Sequence, residues 1–350
     1  MTQQLLVVPS MSNNLLTVLD LNAHAVLRHV PLPKRGPSTA FASPDGDKMY
    51  ALASGGNDVV VMDTHTWTVD RVIPVKGTII DRGKLPAAGR NFWTAVIPQG
   101  HIHQVDTDSG RVLRSFEKAG PCFTVNADET LLFTLDQDKR KKPGHFRVWS
   151  VASGELLAET ATPPLQGFTL GMWTDGANVY WCELAKAGAV HVMDVSEAAA
   201  PKYRTRVPVG SAPLAISIHP DGTMWVPNSA DGTVSVIDTQ TQKVIHTLDV
   251  SHYVGSISYI DGRVYLVQTT KHARVSFWKS MWITIPAPYL GVYITKKSGA
   301  PKTRRFLDIP AEVVAYDAIT YERLPWPAMT LPSIGFSGAV IARDQSGGTG

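Results

Sequence analysis

The chain has 350 residues, 44% hydrophobic, 18% charged and only 8% aromatic. Its 28 glycines and 24 prolines suit a turn-rich globular protein and exclude collagen-like or disordered compositions. Lys and Arg total 33 against 30 Asp and Glu, a net charge of +3. That is too little for the whole surface to bind nucleic acid, so any electrostatic function must come from local clusters.

The length suits two domains or one large all-β domain. The opening residues, MTQQLLVVPSMSNN, have no basic region and too short an apolar run for a secretory signal. No run of 18 apolar residues suggests a membrane helix. A cytoplasmic location is expected, or a periplasmic one if a leader has been trimmed. Cys122 and Cys182 form no CxxC pair, which excludes a zinc knuckle or a redox motif, and both are expected to be buried free thiols.

A repeat is visible along the chain. Residues 5–46 hold an apolar strand, a small polar turn, a second strand ending in Asp, another polar turn, a third strand and a Gly/Pro turn leading towards PDG. The frame returns from Met49 and over residues 224–262. The Asp recurs as Asp20, Asp63, Asp106, Asp194, Asp238 and Asp317, with Ser150 in its place in the fourth unit. The spacings are 43, 43, 44, 44, 44 and 79 residues. Seven units fit, the last carrying an insertion of about 35 residues. Four short strands in about 40–45 residues mark a β-propeller blade. Alternating apolar positions such as Val59 and Val61 support strands, and sustained helical periodicity is missing.

The expected fold is therefore all-β, a seven-bladed β-propeller forming a single domain over residues 1–350. Residues 271–310 would be an insertion in the last blade and 343–350 a flexible tail. The chain starts in an outer-type strand, LLVVPS, and ends in GFSGAVIA, which reads as an innermost strand. The two should close the ring in one blade and remove an exposed sheet edge.

The segments GTVSVIDTQTQKVIHTLDVS and PLAISIHPDGTMWVPNSADG resemble the YVTN-type propeller repeat. NNLLTVLD, followed by RGPSTAFASPDGDKMYALASGGNDVVVMD, is similar to the β chain of quinoprotein amine dehydrogenases. The first resemblance spans nearly the whole chain and implies the propeller fold. The second spans about 60 residues and implies a partner subunit in a redox complex.

Three segments depart from the repeat pattern. The innermost strands are apolar and small except for TIIDRGKLP, which carries Asp81, Arg82 and Lys84. Two cations beside a channel need solvent or an anion, and Arg82 offers bidentate geometry for a carboxylate or phosphate. The alternatives are an irregular strand, or Arg82 paired with Asp81 or another carboxylate. The second is the loop with Lys139, Arg140, Lys141 and Lys142, expected on the face of the channel mouth, either as a solvated loop or as a partner contact. The third is the insertion 271–310, with aromatics including Trp278 and Trp282 followed by basic residues including Arg304 and Arg305. It suits a lid, a protein-docking or dimer surface, or a shallow membrane contact; a hairpin packed on the blades is the plain alternative.

His101 and His103 share one strand face without an evident third ligand, so no metal site is expected. His219 and His252 lie near inner strands and are the candidate general bases, unless they are ordinary strand histidines. No GxSxG, HExxH, GxGxxG or P-loop occurs, and no cofactor is expected. The leading expectation is a non-catalytic module that binds an anionic small molecule or acidic protein, not nucleic acid, through a basic, aromatic face. The alternatives are a lactonase- or lyase-like enzyme acting on a carboxylate in the channel mouth, and a partner subunit of a quinoprotein amine dehydrogenase-type complex.

Overall fold

The computed structural model describes residues 2–10, 13–33, 37–53, 58–75, 78–86, 88–97, 100–120, 122–136, 142–169, 171–270, 310–327, 329–332 and 338–344. Among these the regular elements are strands, gathered into seven four-stranded antiparallel sheets. These are the blades of a seven-bladed β-propeller.

The first sheet joins the two ends of the chain: β1 (Thr2–Ser10), β2 (Leu15–Asp20) and β3 (Ala25–Pro31) are completed by β28 (Ala339–Asp344), in the order β28-β1-β2-β3. The second holds β4 (Pro37–Ala42), β5 (Lys48–Ala53), β6 (Asp58–Asp63) and β7 (Val69–Pro74). The third holds β8 (Thr78–Lys84), β9 (Asn91–Ile97), β10 (His101–Asp106) and β11 (Val112–Phe116), and the fourth β12 (Cys122–Val125), β13 (Leu131–Asp136), β14 (His145–Ser150) and β15 (Leu156–Ala161). The fifth holds β16 (Met172–Thr174), β17 (Asn178–Glu183), β18 (Ala189–Asp194) and β19 (Lys202–Pro208), and the sixth β20 (Ser217–Ile218), β21 (Thr223–Asn228), β22 (Thr233–Asp238) and β23 (Lys243–Asp249). The seventh holds β24 (Val254–Ile260), β25 (Arg263–Thr269), β26 (Ala311–Asp317) and β27 (Met329–Leu331).

By contact density the chain forms two compact units. One carries the first, second and seventh sheets, the other the fourth to sixth and nearly all of the third. Each has its own core. In the first unit Leu5 and Val7, Leu16 and Val18, Met49 and Ala51, and Val60 and Met62 are alternate residues of neighbouring strands packed into one cluster. In the second, Phe133, Phe146 and Trp181 stack in series at 6.2 Å between ring centroids. The residues in between, such as Leu6, Leu19 and Val59, are buried as well. The middle strands are thus covered on both faces and read as near-continuous apolar runs. The fourth strands are mostly exposed, as in β3 and β23.

The recurring Asp has a local cause. It ends the third strand of each blade, and its side chain accepts backbone N–H groups of the following turn. Asp20 takes those of Asn22 and Ala23 at 2.9 and 2.8 Å, Asp63 those of His65 and Thr66, and Asp317 those of Ile319 and Thr320. Ser150 substitutes through its hydroxyl, 3.2 Å from the N–H of Ser153. Four residues beyond the Asp the backbone turns left-handed, with φ of 53° at His24, 59° at Trp67, 55° at Gln242 and 61° at Tyr321. Asp and Asn favour such turns because a short side chain can replace a backbone partner. The donors of Thr66 hold the Asp63 carboxyl below its usual range, and those of Thr241 do the same for Asp238.

Two expected inner strands are shorter than the repeat implies. In the fifth blade Phe168 bridges Leu184, but regular pairing starts only at Met172. In the sixth, Pro213 bridges Asn228 and the ladder resumes at Ser217. The connecting chain is held there by side chains of the second-to-third-strand turn, described below, rather than by a continuous ladder. Both cysteines are buried free thiols, and burial pushes the Cys182 thiol up.

The closure is direct: Thr2 to Val7 pair with Asp344 to Ala339 in antiparallel register. Deleting residues 333–350 leaves β1 with an open edge. The truncated protein is expected to be insoluble on expression, whereas soluble protein with cooperative thermal unfolding would show that the closing strand is dispensable.

Candidate functional site

In a four-stranded up-and-down sheet, the turn joining strands two and three lies at the same end as the connection arriving from the previous blade. The fifth and sixth blades show how that end is built.

In the fifth blade the register sets Trp181 opposite His191, and His191 opposite Arg206. Glu183 lies two residues after Trp181 and so shares its face of the sheet. The result is a buried cluster, with Glu183 and His191 each 1% exposed. Glu183 Oε2 accepts from Arg206 Nε at 3.0 Å and stands 3.2 Å from His191 Nε2. Its Oε1 accepts the backbone N–H of Gln166 in the incoming connection. His191 Nδ1 is 2.9 Å from the Tyr203 hydroxyl, and its ring stacks on Trp181 at 5.3 Å and 5°. Burial alone would raise the Glu183 pKa, but the hydrogen bonds from His191, Gln166 and Arg206 outweigh it and bring the group to about 2. The carboxylate is a structural clip that ties the connection to the turn.

The sixth blade repeats the device. Asp231, in the turn after β21, accepts the backbone N–H of Ser211 in the incoming connection. Gly210 makes the approach feasible, because a Cβ there would lie 2.7 Å from both Cβ and Cγ of Asn228. Beside this contact runs a cavity of about 630 Å³, lined by Pro208, Val209 and Gly210 on one side and by Asn228, Asp231, Thr233, Ser235, Val244 and Thr247 on the other. It lies wholly within the second unit. Its size falls in the range of small-molecule sites.

The residues singled out from sequence are dispersed. Asp81, Arg82 and Lys84 do fall in one strand, β8. The side chains of Asp81 and Arg82 lie outside the described residues. Lys84 Nζ sits 4.9 Å from the centroid of the Trp173 ring, a cation–π contact. Lys139, Arg140 and Lys141 lie outside the described residues, and Lys142 is exposed just before β14. Trp278, Trp282, Arg304 and Arg305 are also outside. The base of their segment is described: Thr269 pairs with Ala311, and the Thr270 N–H reaches Pro310 O at 3.0 Å.

His219 is 4% exposed, with Nε2 3.0 Å from Ser217 Oγ, and burial lowers its pKa to about 4. It is neutral at pH 7 and a weak proton acceptor. His252 is half-buried in the connection after β23. The rings of His101 and His103 meet edge-on at 6.4 Å, and among the described residues no group of three His, Cys, Asp or Glu side chains is placed to hold a metal. Sequence reasoning did not reach Glu183, His191, Arg206, Asn228 or Asp231. The available signals were the Trp-x-Glu alternation of β17 and the NSADG turn.

No known protein family's sequence profile matches the chain, and no curated protein matches it. Solved structures do. Kuenenia stuttgartiensis hydrazine synthase superposes with a TM-score of 0.57 at 15% identity, covering 67% of this chain and 74% of that one. Dihydro-heme d1 dehydrogenase NirN in complex with DHE gives 0.60 at 15% identity, covering 95% of this chain and 74% of that one. At this identity the likeness concerns the fold alone.

Two outcomes test the site. A folded-state pKa of about 2 at Glu183 means its contribution to stability is complete above the ordinary carboxylate range and is lost as pH falls towards 2. Glu183→Gln should lower the melting temperature at pH 7 and reduce its fall between about pH 5 and pH 2; a melting-temperature profile parallel to wild type would remove the clip. Gly210→Ala should destabilise by about 1–3 kcal/mol through overpacking, measured by chemical denaturation.

Proposed function

We propose that the protein is a YVTN-type propeller that serves as a binding module. It engages an acidic partner through second-to-third-strand connections, chiefly residues 139–142 and 271–310. The observation that carries this reading is the rung formed by Thr269 and Ala311, with Thr270 bonded to Pro310 beside it. The chain leaves and rejoins the seventh sheet at one point, between neighbouring strands of one blade. Long connections of this kind are more often functional than structural. Their composition supplies the chemistry: Lys139, Arg140, Lys141 and Lys142 in one connection, and Trp278, Trp282, Lys296, Lys297, Arg304 and Arg305 in the other. Aromatic and arginine side chains are the usual anchors of protein interfaces.

An enzymatic reading has one observation in its favour: both solved structures above are named as enzymes, a synthase and a dehydrogenase. Against it, the candidate base His219 holds its proton only below about pH 4 and is already hydrogen-bonded to Ser217.

The test uses poly-L-glutamate as an acidic probe. Wild-type protein should bind it, with affinity falling as salt rises. Replacing Lys139, Arg140, Lys141 and Lys142 by Glu should weaken binding at least about tenfold while leaving the melting temperature unchanged. Equal binding by wild type and variant overturns the reading.

A further inference from the structure

We propose that the cavity beside the sixth blade binds a neutral polyhydroxylated ligand, a saccharide or polyol, independently of the partner-binding connections. The groove follows from strand register. Thr233 and Ser235 are two apart on β22, so their side chains share a face, and Thr247 lies directly across from Ser235 on β23. Asn228 is opposite Thr233 on β21. Three hydroxyls and one amide therefore line one continuous wall.

The hydrogen bonds within this wall determine what it offers. Asn228 Nδ2 donates to Thr233 Oγ1 at 3.0 Å and to Ser235 Oγ at 2.9 Å. Each hydroxyl accepts in these contacts and keeps its own proton to donate. Asn228 is 1% exposed, and its Oδ1 receives no hydrogen bond from any described residue. That oxygen is fully enclosed, so the groove meets only the exposed polar groups in front of it. Asp231 Oδ2 accepts the backbone N–H of Ser211, and the residue is an exposed part of the groove lining.

The accessible wall thus presents the hydroxyls of Thr233 and Thr247 as donors beside the Asp231 carboxylate as acceptor. A hydroxyl group both donates and accepts, so a polyol can satisfy both kinds. An ammonium ion only donates, and would leave the protons of Thr233 and Thr247 without an acceptor. An anion is disfavoured by Asp231. Pro208, Val209 and Val244 supply apolar wall for the C–H face of a sugar ring.

The test titrates D-glucose, sucrose and D-mannitol into the full-length protein, read by calorimetry and by thermal shift. At least one of them should bind at millimolar concentration and raise the melting temperature. Thr247→Phe places an aromatic ring in the groove from an exposed position. It should abolish binding without changing the ligand-free melting temperature. Asp231→Asn keeps an acceptor for Ser211 and should weaken binding by less than about tenfold. Failure of all three probes overturns the proposal, as does binding that survives Thr247→Phe. A loss beyond about a hundredfold in Asp231→Asn, or binding of tetramethylammonium at the groove in place of the sugars, assigns the site to a cation and overturns the ligand class. Poly-L-glutamate binding is read separately, so either proposal can fail without the other.

Discussion

Hydrogen bonding at a sheet edge is the constraint on which the rest of this molecule depends. A strand with a free edge exposes a row of N–H and C=O groups that recruit other chains. Here the first sheet is assembled from both ends of the sequence, with Thr2 to Val7 laddered to Ala339 to Asp344. The closing strand also reaches its neighbours: a Cβ on Gly46, in the second blade, would meet the side chain of Ile341, and the Gly338 N–H donates to Ser256 Oγ of the seventh. The pairing that satisfies the edge therefore also packs the first unit together.

Given that framework, carboxylates serve mainly as acceptors for backbone N–H groups. The recurring Asp holds the outer turn of nearly every blade. Glu129 spans two blades, accepting the N–H groups of Arg90 and Asn91 and the indole N–H of Trp93. Glu183 and Asp231 tie incoming connections to the turns beneath them. A buried acceptor with several donors resists protonation, which is why Glu183 falls to about 2 despite its burial. The Asp clip of the sixth blade is like that of Glu183, and beside it Asn228 Oδ1 lacks a hydrogen-bond partner among the described residues, as does Gln268 Oε1 in the seventh blade.

This separates scaffold from function in physical terms. Strands buried on both faces tolerate little change, because interiors are close-packed. Connections at the strand ends carry no ladder bonds and can vary in length and chemistry at little cost. The Asp231 turn and the incoming connection at Gly210, which flank the groove, lie at such an end.

The architecture was legible in the sequence because each blade makes the same local demands. An Asp that caps a turn must recur at blade spacing, and alternating apolar residues must recur with it, so counting them yields seven blades and the closing strand. The cation–π contact of Lys84 was not legible, since its partner Trp173 lies in a different blade. Nor was the Glu183 cluster, which draws on three strands and on Gln166 from an incoming connection. Asn228 reads in sequence as an ordinary turn residue; only its seat beside Gly210, with Thr233 and Ser235 taking both amide protons, leaves its oxygen unmet. Local hydrogen bonding and strand periodicity act over a few residues and are written into the sequence. Contacts between distant strands depend on register and close approach, and those are decided only when the sheets assemble.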